Sequence, residues 1–225
     1  MKLIQRHGYI EFLRRNRERS IIKVVSGIRR CGKSTLFRLF KDELLAEGVK
    51  PEQIISINFE ELEYEPLREY HALYQYILNQ MQPNQMNYIF LDEIQHVDQF
   101  HRVVDSLFVK ENTDIYITGS NAYFMSSDIA TLLTGRYVEI QMLPLSFAEF
   151  YYSKYEEQQY SLIPAYEAYL RESSFPYTQQ LGGEDFDIQE YLRGLYNTLL
   201  LHDVVARLKI NDVTILQDIV RYIMA

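Results

Sequence analysis

The sequence predicts an α/β fold: a parallel sheet covered by helices on both faces, followed by a region of helices alone. Three observations predict it. Short apolar runs alternate with helical repeats up to about residue 142. Each run is apolar throughout, the pattern of a strand buried on both faces. Past Pro144 only the helical period continues.

A short helix over about Tyr9–Arg17 leads into "SIIKVVSG", a strand because it is short, β-branched and ends at glycine. In "KSTLFRLFKDELLAE", Leu36, Phe37, Leu39, Phe40 and Leu44 share a helical face, and Gly48 stops the helix. "QIISINFE" is the second strand. In "PLREYHALYQYILNQM" the apolar positions repeat at helical spacing, with Pro66 suited to the first turn. "NYIFLDE" is the third strand and "VDQFHRVVDSLFVK" the next helix. "DIYITGS", "AYFMSSDIATLLT" and "RYVEIQML" give a fourth strand, a helix and a fifth strand. Four helical stretches follow, with "SSFPYTQQLGGEDFD" as the best linker among them. The expected domains are 1–145, the sheet-bearing core, and 146–225, a helical lid and the beginning of a further domain. The last helix stops in mid-pattern at Ala225, which is expected of a C-terminally truncated chain.

The 225 residues carry 23 Lys and Arg against 31 Asp and Glu, a net charge of −8. The charge is uneven: residues 1–50 sum to +8 and the remainder to −16. The acidic remainder argues against a broad DNA-binding face. "RRNRERS" reads as a solvated helix end, and Arg29, Arg30 and Lys33 belong to a loop that attracts phosphate. No apolar run approaches the ~18 residues that span a membrane. The N-terminus becomes charged too soon for a secretory signal. One cysteine, Cys31, excludes an internal disulfide, so a cytoplasmic location is expected. The five histidines have no zinc-ligand spacing. The tyrosines at 151, 152, 155, 160, 166 and 169 are interleaved with glutamate rather than Lys or Arg, which suits half-buried helix faces better than base stacking.

Chemistry is concentrated at the strand ends. Gly27, Ile28, Arg29, Arg30, Cys31, Gly32, Lys33, Ser34 and Thr35 form G-x-x-x-x-G-K-S-T between a strand and a helix. Glycine lets backbone N–H groups turn inward around a β-phosphate, and the helix N-terminus adds partial positive charge. Lys33 would reach the β- and γ-phosphates, and the Ser34 hydroxyl would bind Mg2+. Cys31 is at a variable position, which suits a bland role; a thiol at a helix N-terminus can have a lowered pKa, which would open it to inhibitory alkylation. Asp92 ends the third strand as a Walker-B carboxylate, holding Mg2+ from the second shell, and Glu93 would polarise the attacking water. A full strand and helix separate loop from carboxylates, the topology of the hydrolysing, additional-strand class. Ser120 and Asn121 close the fourth strand; Asn121 positions water or caps the next helix. Arg136 either reaches a neighbour's site in trans or pins its strand to a nearby loop.

With "GIRRCGKSTL", "FLDEIQ", "YITGSNAY" and "LTGRYVEIQMLPLSFAEF" in view, the chain resembles prokaryotic AAA+ superfamily ATPases in which a P-loop domain precedes a C-terminal domain of unknown function. The resemblance implies a P-loop NTPase core of three α/β/α layers with strand order 5-1-4-3-2, then helices opening a winged-helix-like region. It also implies ATP and Mg2+ as ligands, a homo-oligomer with an arginine in trans, and movement of the missing half on DNA or a partner protein. Where relatives tend to carry a glycine pair, this chain has Ser173 and Ser174 before Phe175-Pro176. Two readings stand: an ATPase driving movement, supported by Glu93, and a nucleotide-gated switch with little turnover. The switch draws support from the lack of one compelling lid arginine among Arg171, Arg193 and Arg207. Small-molecule phosphotransfer has no evident acceptor site.

Overall fold

The computed structural model describes residues 4–120, 133, 135–155, 160–181, 185–199, 205 and 213–224. The chain divides into two compact units, one running to Glu149 and one beginning at Phe150.

The first unit opens with α1 (His7–Asn16), β1 (Ile22–Gly27) and α2 (Lys33–Ala46). It continues through β2 (Ile54–Asn58), α3 (Tyr70–Gln80), β3 (Asn87–Asp92), α4 (Phe100–Phe108), β4 (Thr113–Ser120) and β5 (Tyr137–Met142). The strands form one sheet in the order β2-β3-β4-β1-β5, with every pair parallel. This is the expected order, read from the other edge. Because side chains alternate along a strand, β1 sends Val24 to one face and Val25 to the other. Val24 joins Ile57, Leu91, Ile117 and the inner faces of α3 and α4; Val25 joins Phe90, Tyr116 and the inner faces of α1 and α2. Two apolar layers thus sandwich the sheet. In the second, Phe90 and Tyr116 stack at 4.7 Å and Phe37 meets Phe90 edge-on at 5.2 Å. Each such ring buried is worth about 1.5–3 kcal/mol.

Two local expectations change. Pro66 is not in the first turn of α3 but inside a preceding 3-10 segment, Leu62–Arg68. Glu69 is the N-cap instead, its carboxylate accepting from the backbone N–H of His71 and Ala72 at 3.0 and 2.8 Å. A carboxylate there meets both the unpaired N–H groups and the helix dipole, which outweighs proline's preset φ. The helix read over "AYFMSSDIATLLT" lies almost wholly outside the described residues.

The second unit contains α6 (Leu162–Glu172), α7 (Asp185–Thr198) and α8 (Val213–Met224); α5 (Phe147–Tyr155) precedes them. The expected linker is partly structured. Pro176–Gln180 forms a 3-10 turn whose Thr178 is buried and donates to the Phe175 carbonyl at 2.8 Å. Lys154 pairs with the buried Glu172 at 2.6 Å. The tyrosines pack on one another as helix-face residues do, Tyr155 and Tyr160 stacking at 4.5 Å.

Candidate functional site

The site is built where β1, β3 and β4 end together. Gly27 pairs with Ser120 across β1 and β4 and with Met142 across β1 and β5. A Cβ on Gly27 would meet the Met142 carbonyl oxygen at 2.4 Å, so only glycine lets the chain leave the sheet here. The loop turns through Arg30 at φ +65° and Gly32 at φ +107°, and Gly32 caps α2. The first turn of α2 therefore begins at Lys33, with its N–H groups facing the loop.

Lys33 does not extend into solvent. Its ammonium donates to the carbonyls of Gly27 and Ile28 at 3.1 and 3.4 Å and lies 3.1 Å from Glu93 Oε1. Lys33 and Glu93 side chains are only 3% and 7% exposed. Glu93 follows the last residue of β3 at φ +53°, a conformation a side-chain-bearing residue holds only when its surroundings enforce it. Its other oxygen accepts from Gln95 Nε2 at 2.5 Å. Asp92, one residue earlier, accepts from the hydroxyls of Thr118 and Ser34. Burial pushes the Asp92 carboxyl above its ordinary range, an effect those hydrogen bonds and Lys33 oppose and the charge of Glu93 reinforces.

Thr118 ties the two acids together. Its hydroxyl donates to Asp92 while accepting the backbone N–H of Glu93 at 2.9 Å. Asn121, the residue expected to position water, is outside the described residues. Ser120 is buried at the same end of β4. Arg6 went unnoticed. It is buried before α1, donates to the Cys31 carbonyl at 3.3 Å and the Leu143 carbonyl at 2.9 Å, and pairs with Glu149 at 2.6 Å. It thereby fastens the loop to the segment leaving β5. No sequence signal marks this, because its partners are backbone oxygens distant in the chain.

Cys31 corrects an expectation. Its side chain is fully buried against Gly27, and burial pushes the thiol up, overriding the attraction of Lys33 and Arg6 for a thiolate. The helix terminus does not activate it.

Arg136 is not brought to this site. Tyr137 pairs with Ile22 while Met142 pairs with Gly27, so Arg136 stands at the opposite ends of the strands, roughly 20 Å away along the sheet at ~3.3 Å per residue. It lies 3.6 Å from Asp105 and over the Phe108 ring at 5.6 Å, both on α4. Two of the basic N-terminal residues are paired within the same segment. Arg14 pairs with Glu43 at 2.7 Å, and Arg17 with Glu47 and Glu18.

Residues 19–151 match the AAA domain family AAA_14. The chain belongs to this family. An uncharacterized protein of Haemophilus influenzae is 37% identical over 224 residues, covering 98% of this chain and 55% of that protein. An uncharacterized protein of Methanocaldococcus jannaschii is 33% identical over 208 residues, covering 85% and 44%. The chain thus spans about half the length of the curated relatives it matches. Among solved structures, a Walker-type ATPase of Pyrococcus abyssi shares the fold at a TM-score of 0.55 and 17% identity, covering 88% of this chain and 73% of that one. The replication initiator DnaA, bound to AMPPCP and single-stranded DNA, does so at 0.52 and 12%, covering 88% and 68%. The AAA domain accounts for the sheet order and for the loop at its strand ends. No helix among the described residues is long and apolar enough to cross a membrane.

Proposed function

We propose that the chain binds Mg·ATP and hydrolyses it, coupling turnover to movement of its helical part and of the further half found in the longer relatives. The observation that carries this reading is the convergence of Lys33, Asp92 and Glu93 at one set of strand ends, with Ser34 on Asp92 and Thr118 bridging the two acids. In it, the loop from Gly27 to Thr35 wraps the phosphates through its backbone, and Lys33 leaves Glu93 for the β- and γ-phosphates.

Ser34 and Asp92 would hold Mg2+. They present a hydroxyl and a carboxylate, hard oxygen donors of the kind this ion takes, and Asp92 is held buried beside Ser34. Bound there, the ion neutralises phosphate charge. Glu93 then accepts the proton of the attacking water. Thr118 keeps both acids in register; Ser120 or the residue after it, Asn121, would serve the γ-phosphate.

Arg136 acts on a neighbouring copy in this reading, because its own loop is at the far end of the sheet. The domains proposed are the AAA core, 1–145, and a helical region, 146–225; DNA or a protein partner would engage the further half. A nucleotide-gated switch is the second reading, favoured by the Lys33–Glu93 pair, which occupies the base until nucleotide draws the lysine away.

The test is phosphate release from Mg·ATP across protein concentration, with Lys33→Ala as the blank. Release above the blank that Glu93→Gln abolishes supports hydrolysis, and a more than linear rise with concentration supports Arg136 in trans. Tight ATP binding without release would leave the switch.

A further inference from the structure

Glu93 has two carboxylate oxygens, and the protein treats them differently. Oε1 faces Lys33 at 3.1 Å; Oε2 accepts from Gln95 Nε2 at 2.5 Å. Gln95 sits in the 3-10 turn Ile94–His96, held by buried Ile94 and Val97 and closed by the His96 N–H on the Glu93 carbonyl at 3.2 Å. A carboxylate only accepts, so the amide nitrogen of Gln95 must face it, and this fixes where the amide oxygen points. That oxygen, Oε1, is buried and has no hydrogen-bond partner among the described residues. A buried acceptor left unpaired is costly, and in native proteins it calls for an explanation.

We propose that Gln95 is a further residue of the hydrolytic machinery: Nε2 clamps Glu93 and Oε1 orients the attacking water. The proposal rests on the reading of Glu93 as general base. Once Lys33 moves to the phosphates, Glu93 Oε1 is free to accept while Oε2 remains held by Gln95, so the carboxylate cannot rotate away. One O–H of the water points to Glu93 Oε1 and the other to Gln95 Oε1. Water oxygen bonds to the γ-phosphorus as the bond from that phosphorus to the bridging oxygen breaks. ADP departs with the bonding electron pair, one water proton passes to Glu93, and the other stays on the phosphate product. A glutamine amide suits this role because it orients water without taking its proton, as the water-positioning glutamine of some GTPases does.

The experiment compares the intact protein with Gln95→Leu, Glu93→Gln and the double variant, measuring kcat for Mg·ATP and ATP affinity separately. Gln95→Met, of nearly the same length, guards against a local packing defect and should behave as Gln95→Leu does. The expected result is a kcat lowered about 10- to 100-fold with ATP affinity within about threefold of the parent. In the Glu93→Gln background, replacing Gln95 should cost nothing further, because both act on the same water. Parental turnover in Gln95→Leu beside a dead Glu93→Gln would overturn the Gln95 assignment alone. So would a loss of ATP affinity as large as the loss of kcat, or full additivity in the double variant. A parent without turnover, or Glu93→Gln as fast as the parent, would overturn the general-base reading, and the Gln95 assignment with it.

Discussion

Lys23 and Asp114 form an ion pair sealed from water, each side chain 0% exposed. Lys23 also donates to the Arg19 carbonyl at 3.0 Å, while Asp114 accepts from the Tyr116 hydroxyl at 2.6 Å and the Glu18 N–H at 2.8 Å. Removing one charge leaves the other stranded. Lys23→Met should lower unfolding free energy by roughly 3–5 kcal/mol in urea titration, and Lys23→Met/Asp114→Asn should recover part of that. Burial lowers the Lys23 ammonium from its ordinary value of 10.5, outweighing the attraction of Asp114. The unfolded chain then holds this proton more tightly. The parent should therefore gain stability from this group as pH rises from the lowered value toward 10.5, a gain that Lys23→Met lacks.

Asp92 carries a cost in the absence of its ligands. Its folded value is raised by burial above the ordinary 3.8, so its stabilising contribution is full below 3.8 and is lost as pH rises through the raised value. Asp92→Asn should therefore melt higher than the parent at pH 7, with the difference closing toward pH 3, and should lose Mg·ATP turnover. Thermal melts at both pH values and a phosphate-release assay check this.

Gly27→Ala should be severe. The new methyl meets the Met142 carbonyl oxygen at 2.4 Å and Cys31 Sγ at 2.9 Å, and a backbone atom cannot swing aside. A loss of about 3 kcal/mol, with ATP binding abolished, is the expected outcome of denaturant titration and nucleotide titration.

Ser173 holds φ +74° and ψ 161° at the end of α6, a region essentially restricted to glycine. Ser173→Gly should stabilise the chain by about 1 kcal/mol, read as a higher urea midpoint with unchanged slope.

Cys31 should resist thiol reagents. Buried and with its thiol pushed up, it should react with a disulfide reagent only on the timescale of unfolding, and added nucleotide should slow that further. Labelling that outpaces unfolding in denaturant would contradict its placement.

The sheet was legible in the sequence because its central strands β1, β3 and β4 are buried on both faces and read as nearly continuous apolar runs. The edge strands β2 and β5 are only partly buried and carry polar residues such as Ser56, Glu139 and Gln141. Lys33 and Ser34 were legible from the spacing of the strand–loop–helix connection, and Asp92 and Glu93 from their place at the end of an apolar strand. Arg6, Thr118 and Gln95 were not. Arg6 acts through carbonyl oxygens more than 20 residues away, Thr118 through a strand neighbour, and Gln95 through a turn whose shape depends on a left-handed glutamate. Lys23 sits within an apolar run, and nothing local announces that Asp114 will meet it. The place of Cys31 at a helix terminus says nothing about the side chains that cover it.

The strand order has a consequence for how the chain is made. β1 leaves the ribosome early, yet in the finished sheet Lys23 lies between Tyr116 and Val138, both synthesised long afterwards. At about 5–20 residues per second the wait is on the order of 10 s. During that time the strand carrying the phosphate loop has neither neighbour, and its apolar Val24 and Val25 have no sheet to enter. Synthesis of β4 and β5 therefore sets the earliest moment at which this nascent chain can grip a nucleotide, and until then β1 is a natural target for chaperones.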